Sequence, residues 1–203
     1  MKVIAIGRNY AEHAKELNNA IPESPVIFLK PDTAVTKDNK PFYIPDFSQD
    51  IHFELEIVLK VCKEGKSISE KFAHKYFEEI GLGIDYTARD IQTKQKNAGL
   101  PWELAKAFDG SAAISKFKPI TDFPNLYDLN FQLKQNGELK QNGNTKDLIF
   151  SFEKIISFVS KYITLKKGDL IFTGTPAGVG KVNIGDILQC YLENEEMLNI
   201  EIR

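Results

Sequence analysis

Strict alternation of apolar and polar positions starts at Ile51: Phe53, Leu55, Ile57 and Leu59 point one way, and His52, Glu54, Glu56 and Val58 the other. This is the clearest strand signal in the chain. Shorter apolar runs predict further strands at Lys2 to Ile6, Val26 to Lys30, Leu82 to Tyr86 and Phe131 to Gln135. Asn136-Gly137 then supplies a hairpin turn into Glu138 to Gln141. Two more strands, Leu170 to Thr173 and Ile187 to Leu192, each follow a Gly-Asp turn, Gly168-Asp169 and Gly185-Asp186. Helical spacing is found at Asn9 to Asn19, where Tyr10, His13 and Leu17 share a face, and at Ser151 to Tyr162, where Ser151 stands as a cap. Ser69 to Glu79, ending at Gly81, and Thr87 to Lys96 are helical by composition. Pro31 to Gln49 reads as a long loop interrupted by one short strand, Phe42-Tyr43-Ile44, and loops of that length often cover sites. Many short strands with a few helices between them predict a β-rich α+β domain rather than a doubly wound parallel sheet. Neither a repeat nor a linker divides it, so residues 1–203 read as one domain.

Composition narrows the function more than the fold. The 203 residues carry 26 Lys+Arg against 28 Asp+Glu, a net charge of −2, which offers no field for a phosphate backbone or an anionic membrane. Nucleic acid and membrane are therefore not expected partners. Cys62 and Cys190 lie singly in apolar stretches without zinc or redox spacing, and read as buried free thiols. With three histidines, His13, His52 and His74, a metal site would depend on oxygen ligands, favouring hard cations. No secretory signal or spanning segment is evident, so a reducing cytoplasm is the expected compartment.

Glu54 and Glu56 leave the same strand face about 6–7 Å apart, a span over which two carboxylates can clasp one hard cation. A solvated polar face is the other account of the pair. Asp85 follows the glycine-rich apolar run Gly81-Leu82-Gly83-Ile84 and can end a buried strand facing inward. Three carboxylates converging without a neighbouring Lys or Arg would repel, and a divalent cation is the simplest compensation. His13 and Glu16, three apart on the first helix, are spaced for a carboxylate to orient an imidazole, or for an ordinary surface pair. Arg89, Gln92 and Lys106 are further polar candidates, and Trp102 reads as a core or loop anchor. Thr173 to Lys181 mimics a phosphate loop but lacks the glycine at Thr175 and the hydroxyl at Val182; its glycines can still present backbone N–H donors.

In order along the chain, these segments resemble the fumarylacetoacetate hydrolase superfamily, most closely its short branch of acylpyruvate hydrolases and oxaloacetate decarboxylases. The resemblance rests on Gly7-Arg8-Asn9-Tyr10 with His13 and Glu16, Pro25 to Pro31, His52-Phe53-Glu54-Leu55-Glu56, Asp85 to Asp90, Leu100-Pro101-Trp102 leading to Lys106, and Thr173-Gly174-Thr175-Pro176 with Gly178-Val179-Gly180. It implies a mixed β-sandwich roll of the C-terminal-domain type, usually a homodimer, with Mg²⁺ or Mn²⁺ on Glu54, Glu56 and Asp85. It implies catalytic roles for His13, Glu16 and Lys106, the dyad riding on a lid, and substrate contacts at Arg8, Tyr10, Arg89, Gln92 and Thr175. The full-length fumarylacetoacetate hydrolases carry an extra N-terminal domain, whereas this chain begins directly at the catalytic part, so fumarylacetoacetate itself is not the expected substrate. The implied activity is cleavage of the C3–C4 bond of small 2-oxo acids, by acylpyruvate hydrolysis or oxaloacetate decarboxylation, through a metal-stabilised enolate. Tautomerisation of oxaloacetate or isomerisation of a hydroxy-diene dioate needs only the enolate half. A non-catalytic metal- or ligand-binding roll is the alternative from another class, disfavoured because it would not need the dyad.

Overall fold

The structure, a computed structural model, describes residues 1–16 and 20–203. In chain order the elements are β1 (Val3–Gly7), α1 (Ala11–Glu16), β2 (Val26–Lys30), β3 (Val35–Thr36), β4 (Ile51–Phe53), β5 (Leu55–Val61), α2 (Glu70–Ala73), β6 (Phe77–Asp85), β7 (Thr87–Ala88), α3 (Arg89–Asn97), α4 (Glu103–Lys106), β8 (Ala112–Ile114), β9 (Lys118–Pro119), β10 (Asn130–Gln135), β11 (Glu138–Asn144), α5 (Phe152–Tyr162), β12 (Leu170–Phe172), β13 (Gly180–Lys181), β14 (Ile187–Leu192) and β15 (Glu195–Glu201). The largest sheet runs β2-β1-β12-β5-β6-β8-β3, with β9 on β6; a second runs β11-β10-β14-β15 and a small third β13-β4-β7. β1 pairs β12 and β3 pairs β8 in parallel, while the other pairings are antiparallel. Contacts of β5 and β6 with β10, β14 and β15 set the two large sheets face to face. The result is a β-rich α+β fold with a mixed β-sandwich roll.

Both faces of the large sheet are covered, which explains why its strands carry apolar residues at nearly every position. Ile4, Ile6, Leu55, Ile57 and Leu59 enter the main core with Phe131, Leu133, Leu188 and Cys190. Val3, Ala5, Phe28, Val58 and Phe172 form a smaller cluster on the opposite face. Because side chains alternate, Glu56 and Lys30 fall on this second face, beside Val58 and Phe28 respectively. The alternating run from Ile51 is divided at Glu54 between β4 and β5.

Several expectations are corrected. Ser69 to Glu79 is not one helix: α2 ends at Ala73, a 3₁₀ turn spans His74–Tyr76, and β6 begins at Phe77. The apolar Phe77, buried and paired with Val61, has a sheet position that outweighs the local helix propensity. Pro31 to Gln49 is not one open loop. It adds β3 to the large sheet, and Phe42 forms a single bridge with Ile202 instead of a strand and stacks on Tyr86 at 3.8 Å. Cys62 is only half-buried, while Cys190 is enclosed. Leu17 to Asn19, the end of the helix expected from Asn9, lie outside the described residues. Among the described residues no helix is long and apolar enough to cross a membrane.

Candidate active site

Antiparallel pairing of β5 with β6 puts Leu55 opposite Ile84, and one step further the Asp85 N–H donates to the Glu54 carbonyl at 2.8 Å. Glu54 and Asp85 are thereby cross-strand neighbours, and Glu56 follows two residues along the same face. Each of the three contributes a carboxylate oxygen within 4.8 Å of the others, and all three are buried. Such a set of hard oxygen donors fits a divalent cation of the Mg²⁺ or Mn²⁺ type.

The cluster does not lack cations, contrary to the sequence reading. Lys106 Nζ, from α4, donates to Glu54 Oε2 at 2.8 Å, Asp85 Oδ2 at 2.7 Å and Thr87 Oγ1 at 2.6 Å. Arg89, opening α3, donates from Nη2 to Glu54 Oε1 and from Nη1 to Gln92 Oε1, both at 2.6 Å. Lys30 Nζ lies 2.6 Å from Asp85 Oδ1 and also donates to the Lys106 and Ser111 carbonyls and to Ser111 Oγ. Sequence reasoning missed Lys30. The available signal was a lysine in register with Phe28 on an otherwise apolar strand.

The surroundings split the carboxylates electrostatically. Burial alone would raise Glu54, but the Lys106 and Arg89 charges hold it well below the usual carboxylate range. Burial and the neighbouring Asp85 and Glu54 charges push Glu56 well above that range, against the hydrogen bond from the Gly174 N–H at 2.7 Å. That bond needs Gly174 at φ +104, in the left-handed region, where an added Cβ would come within 2.7 Å of Asn9 Cβ. Burial would lower Lys106, but Asp85 and Glu54 reverse this and hold its ammonium protonated.

One cavity is lined by Glu54, Glu56, Asp85, Arg89, Gln92 and Lys106 together with Arg8, His13, Thr175, Phe28, Trp102 and Lys96. His13 Nδ1 and Glu16 Oε2 are 3.0 Å apart, and Glu16 Oε1 accepts from the Gly178 N–H at 3.0 Å. With Nδ1–H donated to Glu16, the other ring nitrogen of His13 is left as a proton acceptor. Glu16 stands behind His13 and does not line the cavity.

Two expected substrate contacts sit differently. Tyr10 is buried, packs edge-on against Phe131 at 6.2 Å and is not in the cavity lining. Its ring extends the hydrophobic face of the segment into the core. Thr175 lines the cavity, but its hydroxyl donates to the Leu55 carbonyl and accepts from Gln141 Nε2, both at 2.8 Å. Its hydroxyl proton is therefore spent, so a ligand carboxylate finds a donor there only in the backbone N–H. Trp102 proves to be a cavity wall, with the Arg8 guanidinium 5.8 Å from its ring centroid.

A buried carboxylate triad at the join of two strands, faced by a lysine and a His–Glu dyad on a mixed β-roll, places this chain in a known group of enzymes: it belongs to the fumarylacetoacetate (FAA) hydrolase C-terminal family, whose pattern matches residues 2–203. Among its relatives, the mitochondrial oxaloacetate tautomerase FAHD1 of Bos taurus is 44% identical over 187 residues, covering 92% of this chain and 85% of the relative. Oxaloacetate tautomerase YcgM of Escherichia coli is 41% identical over 188 residues, covering 92% and 86%. The crystal structure of fumarylpyruvate hydrolase from Pseudomonas aeruginosa, in complex with Mn²⁺ and pyruvate, superposes with a TM-score of 0.94 at 32% identity, covering 100% of this chain and 89% of that one. A family member from Yersinia pestis CO92 gives a TM-score of 0.96 at 40% identity, covering 100% and 93%.

Proposed function

We propose that residues 1–203 form one catalytic domain that cleaves the C3–C4 bond of small 2-oxo acids by way of the C3 enolate, with a divalent cation held by Glu54, Glu56 and Asp85. The observation that carries this reading is the convergence of those three carboxylates, Lys106 and His13 on one cavity. When bound, Mg²⁺ or Mn²⁺ would supply Lewis acidity toward the 2-oxo group.

The chain's own groups divide the remaining work. The Lys106 ammonium, fixed by three acceptors, offers positive charge where the enolate develops. Gln92, whose amide oxygen is taken by Arg89, presents its amide nitrogen to a substrate oxygen. His13, oriented by Glu16, takes a proton from water, which attacks a C4 ketone; the C3–C4 pair is left on C3, which takes that proton back, and pyruvate departs with a carboxylic acid. Where C4 is a carboxylate, CO₂ leaves with no water required.

Keto–enol tautomerisation is the second reading, favoured by relatives named oxaloacetate tautomerase at 41% and 44% identity. It uses the enolate half alone. The deciding experiment follows pyruvate release from acetylpyruvate and from oxaloacetate, and the enol absorbance of oxaloacetate, with and without Mg²⁺ and with the enzyme-free blank subtracted. Metal-dependent pyruvate release supports cleavage. Accelerated tautomerisation without release moves the assignment to the second reading, and neither activity with metal present overturns both. The homodimer implied by the family belongs to the same proposal, and light scattering tests it.

A further inference from the structure

The strand that carries Glu56 loses its backbone neighbour on one edge close to the triad. β12 pairs with β5 from Lys60 to Val58, and the Thr173 N–H still reaches the Ile57 carbonyl at 3.1 Å. After Thr173 the chain turns away, and the Gly174 N–H goes to the Glu56 carboxylate instead of the ladder. Because the Glu54 carbonyl faces β6, the alternation of an antiparallel pair turns the N–H and carbonyl of Leu55 toward this unpaired edge. Leu55 lies between the two glutamates and is buried, so both groups need partners. Side chains supply them: Gln141 Oε1 accepts from the Leu55 N–H at 2.9 Å, and the Thr175 hydroxyl donates to the Leu55 carbonyl at 2.8 Å.

Gln141 comes from β11, in the other large sheet, and its inward direction depends on a bulge. Leu133 of β10 pairs with Gln141 and Lys134 with Leu139, which leaves Lys140 without an opposite residue. Leu139 is thereby 47% exposed while Gln141 is fully enclosed, the reverse of the usual burial of leucine and glutamine. Gly143, two residues further on, lets β11 approach the loop: an added Cβ there would come within 2.8 Å of Pro176 Cγ. The carboxamide is saturated, since its Nε2 donates to Thr175 Oγ1 at 2.8 Å and to the Pro176 carbonyl at 2.9 Å. With the Thr175 proton committed to Leu55, the groups around this side chain require one acceptor and two donors, which a glutamine supplies and a glutamate does not.

We propose that Gln141 is a positioning residue for the cation site: its carboxamide takes the place of the missing ladder strand at Leu55 and holds Thr175 and Pro176 beside it, which fixes how Glu54 and Glu56 present their carboxylates. Gln141 itself does not line the cavity. Glu56 is gripped twice by the arrangement, through the Leu55 residue that precedes it and through the N–H of Gly174, which precedes Thr175. A satisfied buried network keeps one arrangement where an apolar side chain would leave the segment free to shift. This inference rests on the cation reading above and adds to it a residue from the opposite sheet.

In the wild type, the Gln141 carboxamide protons should exchange with solvent, by NMR, at least about a hundredfold more slowly than those of the exposed neighbour Asn142. Comparable rates overturn the proposal without any variant. Gln141→Met keeps the length of the side chain and removes its hydrogen bonds. A titration followed by the EPR signal of free Mn²⁺, well below the unfolding temperature, should show the ion bound about tenfold or more weakly than by the wild type. Val159→Ala, a core truncation in α5 away from the cavity lining, should lower the melting temperature and leave Mn²⁺ affinity unchanged. Unchanged affinity in Gln141→Met, or an equal loss in Val159→Ala, overturns the positioning role and leaves the carboxylate triad standing as the cation site. Absence of Mn²⁺ binding by the wild type overturns the cation reading and this inference with it.

Discussion

The ammonium of Lys30 lies 2.6 Å from Asp85 Oδ1, and both side chains are fully sealed from solvent. Burial lowers Lys30 below its ordinary value, with the Asp85 charge opposing the shift. The pair fixes one oxygen of Asp85 while Lys106 takes the other, so the aspartate is orientated from both sides. Lys30→Met leaves that carboxylate without a partner at Oδ1 and removes the bonds to the Lys106 and Ser111 carbonyls. Breaking a buried ion pair from one side costs about 3–5 kcal/mol. Urea unfolding of the metal-free protein should show a loss of this size, and a loss below about 1 kcal/mol would mean that the pair is not held in solution.

Glu56→Gln should leave the fold intact and abolish the metal response. A glutamine oxygen can still accept the Gly174 N–H, and the neutral amide relieves the repulsion from Asp85 and Glu54. The metal-free variant should therefore melt at or above the wild-type temperature. Addition of Mg²⁺ or Mn²⁺ should raise the wild-type melting temperature but not that of the variant. An equal metal-induced shift in both proteins would remove Glu56 from the ligand set.

His13→Ala should reduce acylpyruvate hydrolysis about 10²- to 10⁴-fold, the usual worth of a positioned base. Oxaloacetate decarboxylation, which needs no water, should suffer less. Side-by-side kcat values decide the matter, and equal losses on both substrates would show that the imidazole is not a dedicated water base.

Gly178→Ala tests how the dyad is held. Gly178 sits at φ +95, and an added Cβ would fall 2.0 Å from the Lys140 carbonyl oxygen, so the loop must shift. The Gly178 N–H would then leave Glu16 Oε1. Hydrolysis should fall several-fold or more with Mg²⁺ affinity little changed, measured as kcat against a metal titration.

Asp169 gives a pH signature away from the site. Burial would raise its carboxyl, but hydrogen bonds from the Lys2 side chain, the Lys2 N–H at 3.0 Å and the Lys166 N–H at 2.7 Å lower it overall. A carboxylate depressed in the folded state contributes stability above its unfolded pKa of about 3.9, and that stability is lost as pH falls through the folded value. Asp169→Asn should therefore cost about 1–3 kcal/mol at neutral pH, with the gap to wild type closing below about pH 4. Thermal melts across that range check the convergence.

Much of the site was legible because it obeys local periodicity. The two-residue spacing of Glu54 and Glu56 and the three-residue spacings of His13 with Glu16 and Arg89 with Gln92 translate directly into shared faces. What depends on pairing between distant strands was not legible. Lys30 meets Asp85 only because β2 and β6 belong to one sheet, and local spacing does not reveal that Lys30, Lys106 and Arg89 converge on the carboxylates. The same limit explains the expected helix: Ser69 to Glu79 has helix-forming composition, yet from Phe77 onward the chain completes a sheet. Tyr10 shares its segment with His13 but turns into the core, a choice fixed by Phe131 more than a hundred residues away.

The ribbon from Gly174 to Gly178 touches Glu56 at one end and Glu16 at the other. Five consecutive residues thus bridge the acidic triad and the imidazole relay, although the carboxylates they contact lie forty residues apart in the chain. Mutational scans of this ribbon should accordingly yield graded defects, with cation binding weakened first by changes near Gly174 and proton transfer by changes near Gly178.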